Sequence, residues 1–146
     1  MSFFNTPDPK IALLRSMALF AGATKSQVVR LAAQMDEITV GRGSVLTHQG
    51  RPGHSFYIVI AGEAVAHVGP QQVATFGPGD FFGEISMIDR DPAVATVTAS
   101  TECTLLVLGH EQFRRALAAD PDLEVAVTIA MRERLWANRA AGLPGR

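Results

Sequence analysis

The sequence has one cysteine, few charged residues and no long apolar segment. Cys103 is that single cysteine, so neither an internal disulfide framework nor a cysteine-rich zinc site can form. Its position beside the apolar run 104–108 predicts a buried, unreactive thiol. No apolar stretch approaches the roughly 20 residues that a membrane-spanning helix requires, and residues 1–5 carry no basic leader. These absences predict a cytoplasmic protein that is neither inserted in a membrane nor directed to one.

Neither sign of charge is in excess, since 13 lysines and arginines oppose 14 aspartates and glutamates and the net charge is -1. Such a chain has no long-range field to draw it to DNA or an anionic membrane, so nucleic acid is not a predicted partner. Hydrophobic residues make up 47% of the chain and charged residues 18%, as in globular proteins. We predict that residues 1–146 form one domain with its core over residues 11–137.

The histidines lack the arrangement of a metal centre, because His48, His54, His67 and His110 are scattered and form no His-x-His pair. A metal-dependent enzyme of the cupin type, which is also built on a small β-barrel, is therefore not supported. No serine or cysteine lies in a recognisable activating context for nucleophilic catalysis. We predict that the chain is not an enzyme and binds no metal, and that each histidine is structural or exposed.

Apolar residues at helical spacing mark both ends of the chain. Near the N-terminus they predict two helices, and Thr24 with Gln27 three positions later forms a capping box at the start of the second. Two more helices are predicted after Gly109, the last beginning at Asp120-Pro121, where an N-cap precedes the preferred first-turn proline. The tail 140–146 is expected to fray.

Between the predicted helices, the chain changes to short apolar or alternating runs separated by glycines, nine of which lie from Gly41 to Gly83. Many short strands with glycine-rich turns favour a closed antiparallel sheet. The predicted strands cover residues 44–48, 55–61, 64–68, 72–76, 94–99 and 104–108. The sequence thus predicts a mainly β fold, an antiparallel β-roll of the jelly-roll or double-stranded β-helix type, with two N-terminal and two C-terminal helices.

The most informative segment is Phe76-Gly-Pro-Gly-Asp-Phe-Phe-Gly-Glu-Ile-Ser-Met-Ile88, which predicts a strand, a turn and a short helix. Gly83 allows close backbone approach, and the amides of Glu84, Ile85 and Ser86 at the helix start can hold an anion. Glu84 would repel that anion unless it accepts hydrogen bonds from a neighbouring sugar hydroxyl, and an anion beside a sugar indicates a nucleotide. The simpler alternatives are a turn glycine and a helix N-terminal acid stabilised by the helix dipole.

This segment resembles the phosphate-binding cassette of the cyclic nucleotide-binding domain family, which occurs in catabolite-activator regulators, protein kinase A regulatory subunits and gated channels. Residues 19–21, 48–63 and 76–80 are also similar to family motifs in order and spacing, so the likeness covers nearly all of residues 11–137. The resemblance implies a β-roll that binds cAMP or cGMP as a regulatory signal, without a metal or another cofactor.

In the family, the cassette glutamate binds the ribose 2′-hydroxyl, a role that the resemblance assigns to Glu84. The backbone that binds the cyclic phosphate is assigned in the same way to Gly83, Ile85 and Ser86. The family's arginine partner of the phosphate, ten residues beyond the cassette glycine, is replaced here by Ala93. Because a charge-assisted hydrogen bond contributes about 1.5 to 3 kcal/mol, and breaking a buried ion pair can cost about 3 to 5 kcal/mol, the loss of this arginine predicts binding weakened by roughly one to three orders of magnitude.

Other residues near the cassette bear on this prediction. Val94 stands where the family often has a small or hydroxyl-bearing residue, whereas Thr96 could contact a base. Arg51 or Arg90 could replace the missing charge, although Arg90 between two aspartates is more simply explained as a solvated loop residue.

The last predicted helix carries Arg134, Trp136 and Asn138 where family members have groups that cover the purine, so these residues are a possible lid. Trp136 could instead pack on the roll or on another copy of the chain. The resemblance leaves two hypotheses, a sensor whose last helix shifts on ligand binding and a degenerate roll that acts as a docking or dimerisation module. Too few residues follow this helix to form a DNA-reading element, so we expect the signal to pass to a protein partner, to a second copy of the chain through the C-terminal helix, or to a region outside this sequence.

Overall fold

The computed structural model describes residues 8–83 and 93–140, and within the last helix it describes side chains as far as Arg134. The α-helices are α1 (Pro9–Ser16), α2 (Lys25–Ala32), α3 (His110–Ala118) and α4 (Pro121–Ala140), with a 3₁₀ turn at Ala18–Phe20. The strands are β1 (Asp36–Val40), β2 (Val45–Thr47), β3 (Ser55–Ala61), β4 (Ala64–Val68), β5 (Gln71–Phe76), β6 (Phe81–Phe82), β7 (Thr96–Ala99) and β8 (Cys103–Gly109).

The strands of the described residues pair into two antiparallel sheets. One has the order β1-β8-β3-β6 and the other the order β2-β7-β4-β5. Strands that are distant in sequence are neighbours in each sheet, as expected for a chain that rolls up on itself. The prediction of a mainly β, antiparallel β-roll with two helices before it and two after it is confirmed.

The observed strand bounds agree closely with the predicted ones where the sequence has a clear apolar run. β3 and β4 have the predicted bounds, whereas the predicted strand 94–99 begins only at Thr96. Residues 93–95 are not extended in the sheet because the backbone of Ala93 is hydrogen-bonded to the loop before β3. β1 and β6 were not predicted, since β1 is almost fully exposed and β6 has only two residues.

The helices pack against the sheet that contains β3 and β8. The Phe56 ring of β3 lies 5.0 Å from the Phe113 ring of α3, measured between centroids. Leu123, Val127 and Met131 bury the predicted apolar stripe of α4 in the same cluster. A second cluster fills the space between the two sheets and includes Cys103, Val59 and Leu105. The described helices before and after the strands therefore pack on the same face of the roll.

The thiol of Cys103 is fully buried, with 0% of its surface exposed. Its Sγ atom donates to the carbonyl oxygen of Glu63 at 3.1 Å. The prediction of a buried thiol is confirmed. Among the described residues, no helix combines the length and the apolar character that crossing a bilayer requires.

Hydrogen bonds join α2 to the start of α4, two elements that are far apart in sequence. Thr24 and Gln27 form the predicted capping box, with backbone-to-side-chain distances of 2.8 and 3.1 Å. The other end of the Gln27 side chain donates to Asp120 Oδ1 at 3.1 Å, and Arg30 pairs with Asp120 Oδ2 at 3.2 Å. Asp120 also accepts from the backbone N–H of Leu123 at 3.4 Å, in keeping with its predicted role as N-cap of α4. The Asp120 carboxylate therefore caps α4 and also bonds to both the first and the last turn of α2.

Candidate ligand site

A cavity of about 560 Å³ lies inside the roll, and strands of both sheets contribute to its wall. The strands give it mostly apolar side chains, such as Leu46, Val73 and Phe82. The loop between β2 and β3 adds polar groups that include Arg51 and His54. The cavity thus combines an apolar interior with a polar rim, as small-molecule sites commonly do.

Gly83 lies in the cavity wall directly after β6, and its backbone requires glycine for two reasons. Its φ is +91°, in the left-handed region that residues with a side chain rarely adopt. A Cβ atom at this position would also collide with the carbonyl oxygen of Ser55. The turn interpretation of Gly83 is therefore correct, and it coexists with a position at the cavity.

The carbonyl oxygen of Gly83 is held by a buried histidine that the sequence analysis treated only as structural or exposed. His110 Nε2 lies 2.8 Å from Gly83 O, and the neutral tautomer with its proton on Nε2 donates to that oxygen. The backbone N–H of His110 donates to His54 O at 2.9 Å. His110 is 7% exposed. Burial lowers the pKa of His110, the hydrogen bond with Gly83 opposes this effect, and the charge of Arg114 adds to it.

Ala93 also lies in the cavity wall, and both of its backbone polar groups are already hydrogen-bonded. Its N–H donates to Arg51 O at 2.9 Å, and its carbonyl oxygen accepts from the N–H of Gly50 at 2.8 Å. These two bonds hold position 93 beside Arg51 of the loop between β2 and β3. Arg90, the other arginine considered as a substitute, lies outside the described residues.

The structure brings some of the remaining predicted site residues to the cavity and not others. Val94 lines it, whereas Thr96 does not, and the Thr96 hydroxyl instead accepts from the backbone N–H of Gln49 at 3.0 Å. Base contact by Thr96 stays a prediction. Three predicted cassette residues lie outside the described residues, as do the side chains of two predicted lid residues: Glu84, Ile85 and Ser86, and Trp136 and Asn138.

Arg134, the described member of the predicted lid, connects α4 to the cavity wall. Its Nη2 atom donates to Phe81 O at 3.1 Å, and its guanidinium carbon lies 4.3 Å from the centre of the Phe81 ring. The same side chain lines the cavity. α4 is therefore docked at the edge of the site, through a contact with Phe81, which precedes Gly83 by two positions.

The described groups around the cavity are more basic than acidic. Among the described residues that line the cavity, Asp80 is the only carboxylate, whereas Arg51 and Arg134 are both cations. The Asp80 Oδ2 atom accepts from the backbone N–H of Gly77 at 2.8 Å. Burial raises the pKa of Tyr57, so its hydroxyl stays protonated at neutral pH and donates to Leu46 O at 3.3 Å.

Residues 8–83 and 93–140 contain no group of three or more histidine, cysteine or acidic side chains that could hold a metal.

Comparison with known proteins gives one family and two kinds of relative. The family model for the cyclic nucleotide-binding domain matches residues 37–120. A cAMP-dependent protein kinase regulatory subunit of Aspergillus fumigatus is 33% identical over an aligned length of 116 residues, and the match covers 77% of this chain and 28% of that protein. A CRP-like cAMP-activated global transcriptional regulator of Mycobacterium tuberculosis is 29% identical over an aligned length of 146 residues, and the match covers 92% of this chain and 65% of that protein.

Among solved structures, the chain is similar to the N-terminal domain of a transcriptional regulator from Streptomyces coelicolor A3(2). The TM-score is 0.76 at 36% sequence identity, and the match covers 88% of this chain and 93% of that one. The chain spans only about a quarter of the length of the fungal kinase regulatory subunits that it matches, 22% of one and 28% of another. These relatives are regulatory subunits and transcriptional regulators, so the prediction of a regulatory rather than an enzymatic domain is confirmed.

Proposed function

The chain belongs to the cyclic nucleotide-binding domain family, and on that premise we propose that its cavity binds cAMP or cGMP as a regulatory signal, with weakened affinity. The observation that carries this proposal is the cavity in the roll, which has Gly83 at the start of the cassette and Ala93 in its wall. The relatives described as cAMP-dependent or cAMP-activated support a cyclic nucleotide as the ligand class.

The size and polarity of the cavity suit a nucleotide. Its volume of about 560 Å³ falls within the range of about 300 to 1,000 Å³ that small-molecule sites occupy. The apolar wall, where the rings of Tyr57 and Phe82 stack at 4.9 Å, offers a surface for a sugar or base. The polar rim with Arg51 and His54 suits an anionic group.

The cassette provides the polar contacts in this proposal. The backbone at Gly83, Ile85 and Ser86 would bind the cyclic phosphate, and Glu84 would accept a hydrogen bond from the ribose 2′-hydroxyl. The close packing of Gly83 against Ser55 and its hydrogen bond with His110 fix where this backbone begins. A fixed start is what a backbone anion site needs, because its donors are then oriented before the ligand arrives.

The weakened affinity follows from position 93. Ala93 has no charged side chain, and its N–H and carbonyl groups already bond to Arg51 and Gly50. It therefore offers the phosphate neither a positive charge nor a free backbone donor. The neighbouring Val94 adds an apolar side chain to the same part of the wall.

The signal would leave the site through α4. Arg134 connects α4 to Phe81 next to the cassette, so a ligand that rearranges this contact changes the relative free energies of the docked and displaced positions of the helix. Trp136 and Asn138 on the same helix would cover the base. A protein partner, or a second copy of the chain, would then read the helix position.

A second candidate function is a docking or dimerisation module that binds no nucleotide. Besides Ala93, the observation in its favour is a pair of exposed apolar residues one turn apart on α4, Val125 at 59% and Ile129 at 52% exposure. Such residues on an outer helix face suit contact with another helix. Light scattering after size-exclusion chromatography, on the chain and on Ile129→Lys, would measure this association.

Titration calorimetry with cAMP and with cGMP tests the first proposal. We expect weak binding to the unchanged chain and binding at least about tenfold tighter for Ala93→Arg, because the new guanidinium can pair with the phosphate. Ala93→Met is the matched control, since it adds length without charge and should bring no gain. If neither nucleotide binds the unchanged chain or Ala93→Arg at high micromolar concentration, the sensor function is wrong.

A further inference from the structure

The loop between β2 and β3 carries a cation to the part of the cavity where the cassette lacks one. Arg51 lines the cavity, as does Ala93. Two backbone hydrogen bonds, from Ala93 N to Arg51 O at 2.9 Å and from Gly50 N to Ala93 O at 2.8 Å, make the two positions neighbours. A guanidinium attached at residue 51 therefore starts from the backbone segment that adjoins residue 93.

The loop that carries Arg51 is itself held in place. The N–H of Arg51 donates to His48 O at 3.1 Å, and Gly50 adopts a φ of +82° that permits this tight turn. Pro52 follows and restricts the backbone on the other side. Because the loop is held by its own turn and by Ala93, the Arg51 side chain is presented from a defined backbone.

The Arg51 guanidinium is free to bind an anion as far as the described residues are concerned. It forms no ion pair or side-chain hydrogen bond within residues 8–83 and 93–140. Arg134, the other arginine among the described lining residues, already donates to Phe81 O and lies over the Phe81 ring. A guanidinium has five donors in a planar fork that matches phosphate oxygens, so an arginine at this rim that pairs with none of the described side chains is suited to a phosphate.

We propose that Arg51 supplies the positive partner of the ligand's phosphate, in place of the arginine that is absent at position 93. This inference rests on the proposed function, because it identifies which side chain recognises the anionic part of the nucleotide. It predicts that the charge on the loop between β2 and β3 sets the affinity for cyclic nucleotides.

Calorimetry with cAMP and cGMP on Arg51→Gln tests the inference. We expect an affinity about 10- to 100-fold lower than that of the unchanged chain, the range expected from the loss of a charge-assisted hydrogen bond. Arg42→Gln is the matched control, since Arg42 is exposed in the turn before β2 and does not line the cavity. The bonds between residues 51 and 93 involve backbone atoms only, so we expect them to persist in Arg51→Gln, and an unchanged thermal midpoint would verify that it folds.

A double variant separates a role in charge from a role in loop structure. If Arg51 pairs with the phosphate, Ala93→Arg should tighten binding more in the Arg51→Gln background than in the unchanged chain, because there it restores the missing cation. Equal affinity of Arg51→Gln and the unchanged chain would overturn the inference and leave the proposed function intact. A loss in Arg51→Gln that Ala93→Arg does not rescue would also overturn it. Absence of nucleotide binding by the unchanged chain and by Ala93→Arg would refute the proposed function itself, and the inference with it.

Discussion

At the scale of single residues, Gly83 has the most restricted backbone of the site. Its φ of +91° and the position of Ser55 O both exclude a side chain. We expect Gly83→Ala to lower the free energy of unfolding by about 2 kcal/mol or more in urea denaturation, because strain and collision add. Gly43 has the same φ of +91° with no atom near its absent Cβ, so Gly43→Ala measures the strain alone. Equal losses for the two variants would contradict a collision at Gly83.

The lowered pKa of His110 predicts that the stability of the fold depends on pH. Burial lowers the pKa of His110 below its usual value, so between the two pKa values the unfolded chain binds a proton that the folded chain does not. Its stabilising contribution is therefore complete above about pH 6.5 and is lost as the pH falls below that value. We expect the free energy of unfolding to fall less between pH 7.5 and pH 5.5 in His110→Gln than in the unchanged chain.

Urea denaturation at the two pH values measures this difference. His48→Gln is a suitable control because the His48 side chain is exposed, and its pH profile should follow that of the unchanged chain. Parallel profiles for His110→Gln and the unchanged chain would exclude His110 as the source of the dependence.

The residues of the site differ in how well the sequence predicts them. Gly83 could be predicted from the sequence because a turn glycine and its neighbours form a local motif, which a single stretch of the chain contains in full. The contacts of His110 with Gly83 and of Arg51 with Ala93 join positions 27 and 42 residues apart. Such contacts depend on strand order, which no local pattern specifies, so the sequence could only name Arg51 as one of two possible substitutes.

At the scale of elements, Asp120 couples α2 to the start of α4. It accepts hydrogen bonds from Leu123 N and from the side chains of Gln27 and Arg30. We expect Asp120→Ala to lower the free energy of unfolding by about 1 to 2 kcal/mol, because it removes a cap and two contacts between helices. Asp122 is exposed and lies in the first turn of α4, so Asp122→Ala should lower the free energy of unfolding by less. Comparable urea midpoints for the two variants would show that the shared carboxylate contributes little.

The same scale explains which elements the sequence could predict. β3 and β4 are short runs rich in apolar residues and bounded by glycine-containing turns, and this pattern gave their bounds correctly. β1 is exposed on nearly its whole length and is a strand only because it pairs with β8. β6 pairs with β3 through only two residues. Strands that exist through their partners leave no pattern of their own.

At the scale of the whole molecule, ligand binding should stabilise the fold. A ligand at a hundred times its dissociation constant adds about 2.7 kcal/mol to a protein that binds it only when folded. For a chain of this size we expect the thermal midpoint to rise by about 5 to 10 °C. A thermal scan with and without saturating cAMP and cGMP would measure the shift, and adenosine 5′-monophosphate, which lacks the cyclic phosphate, is the control. No rise with either cyclic nucleotide at millimolar concentration would contradict binding.

The complete burial of Cys103 has a practical consequence for following α4 in solution. Because the chain's only thiol is fully enclosed in the roll, a maleimide dye has no accessible native target in the folded protein. A cysteine introduced at the exposed Val125 or Ile129 would then be labelled alone, without removing any native residue that supports the core. The fluorescence of such a dye would report the movement of the helix directly.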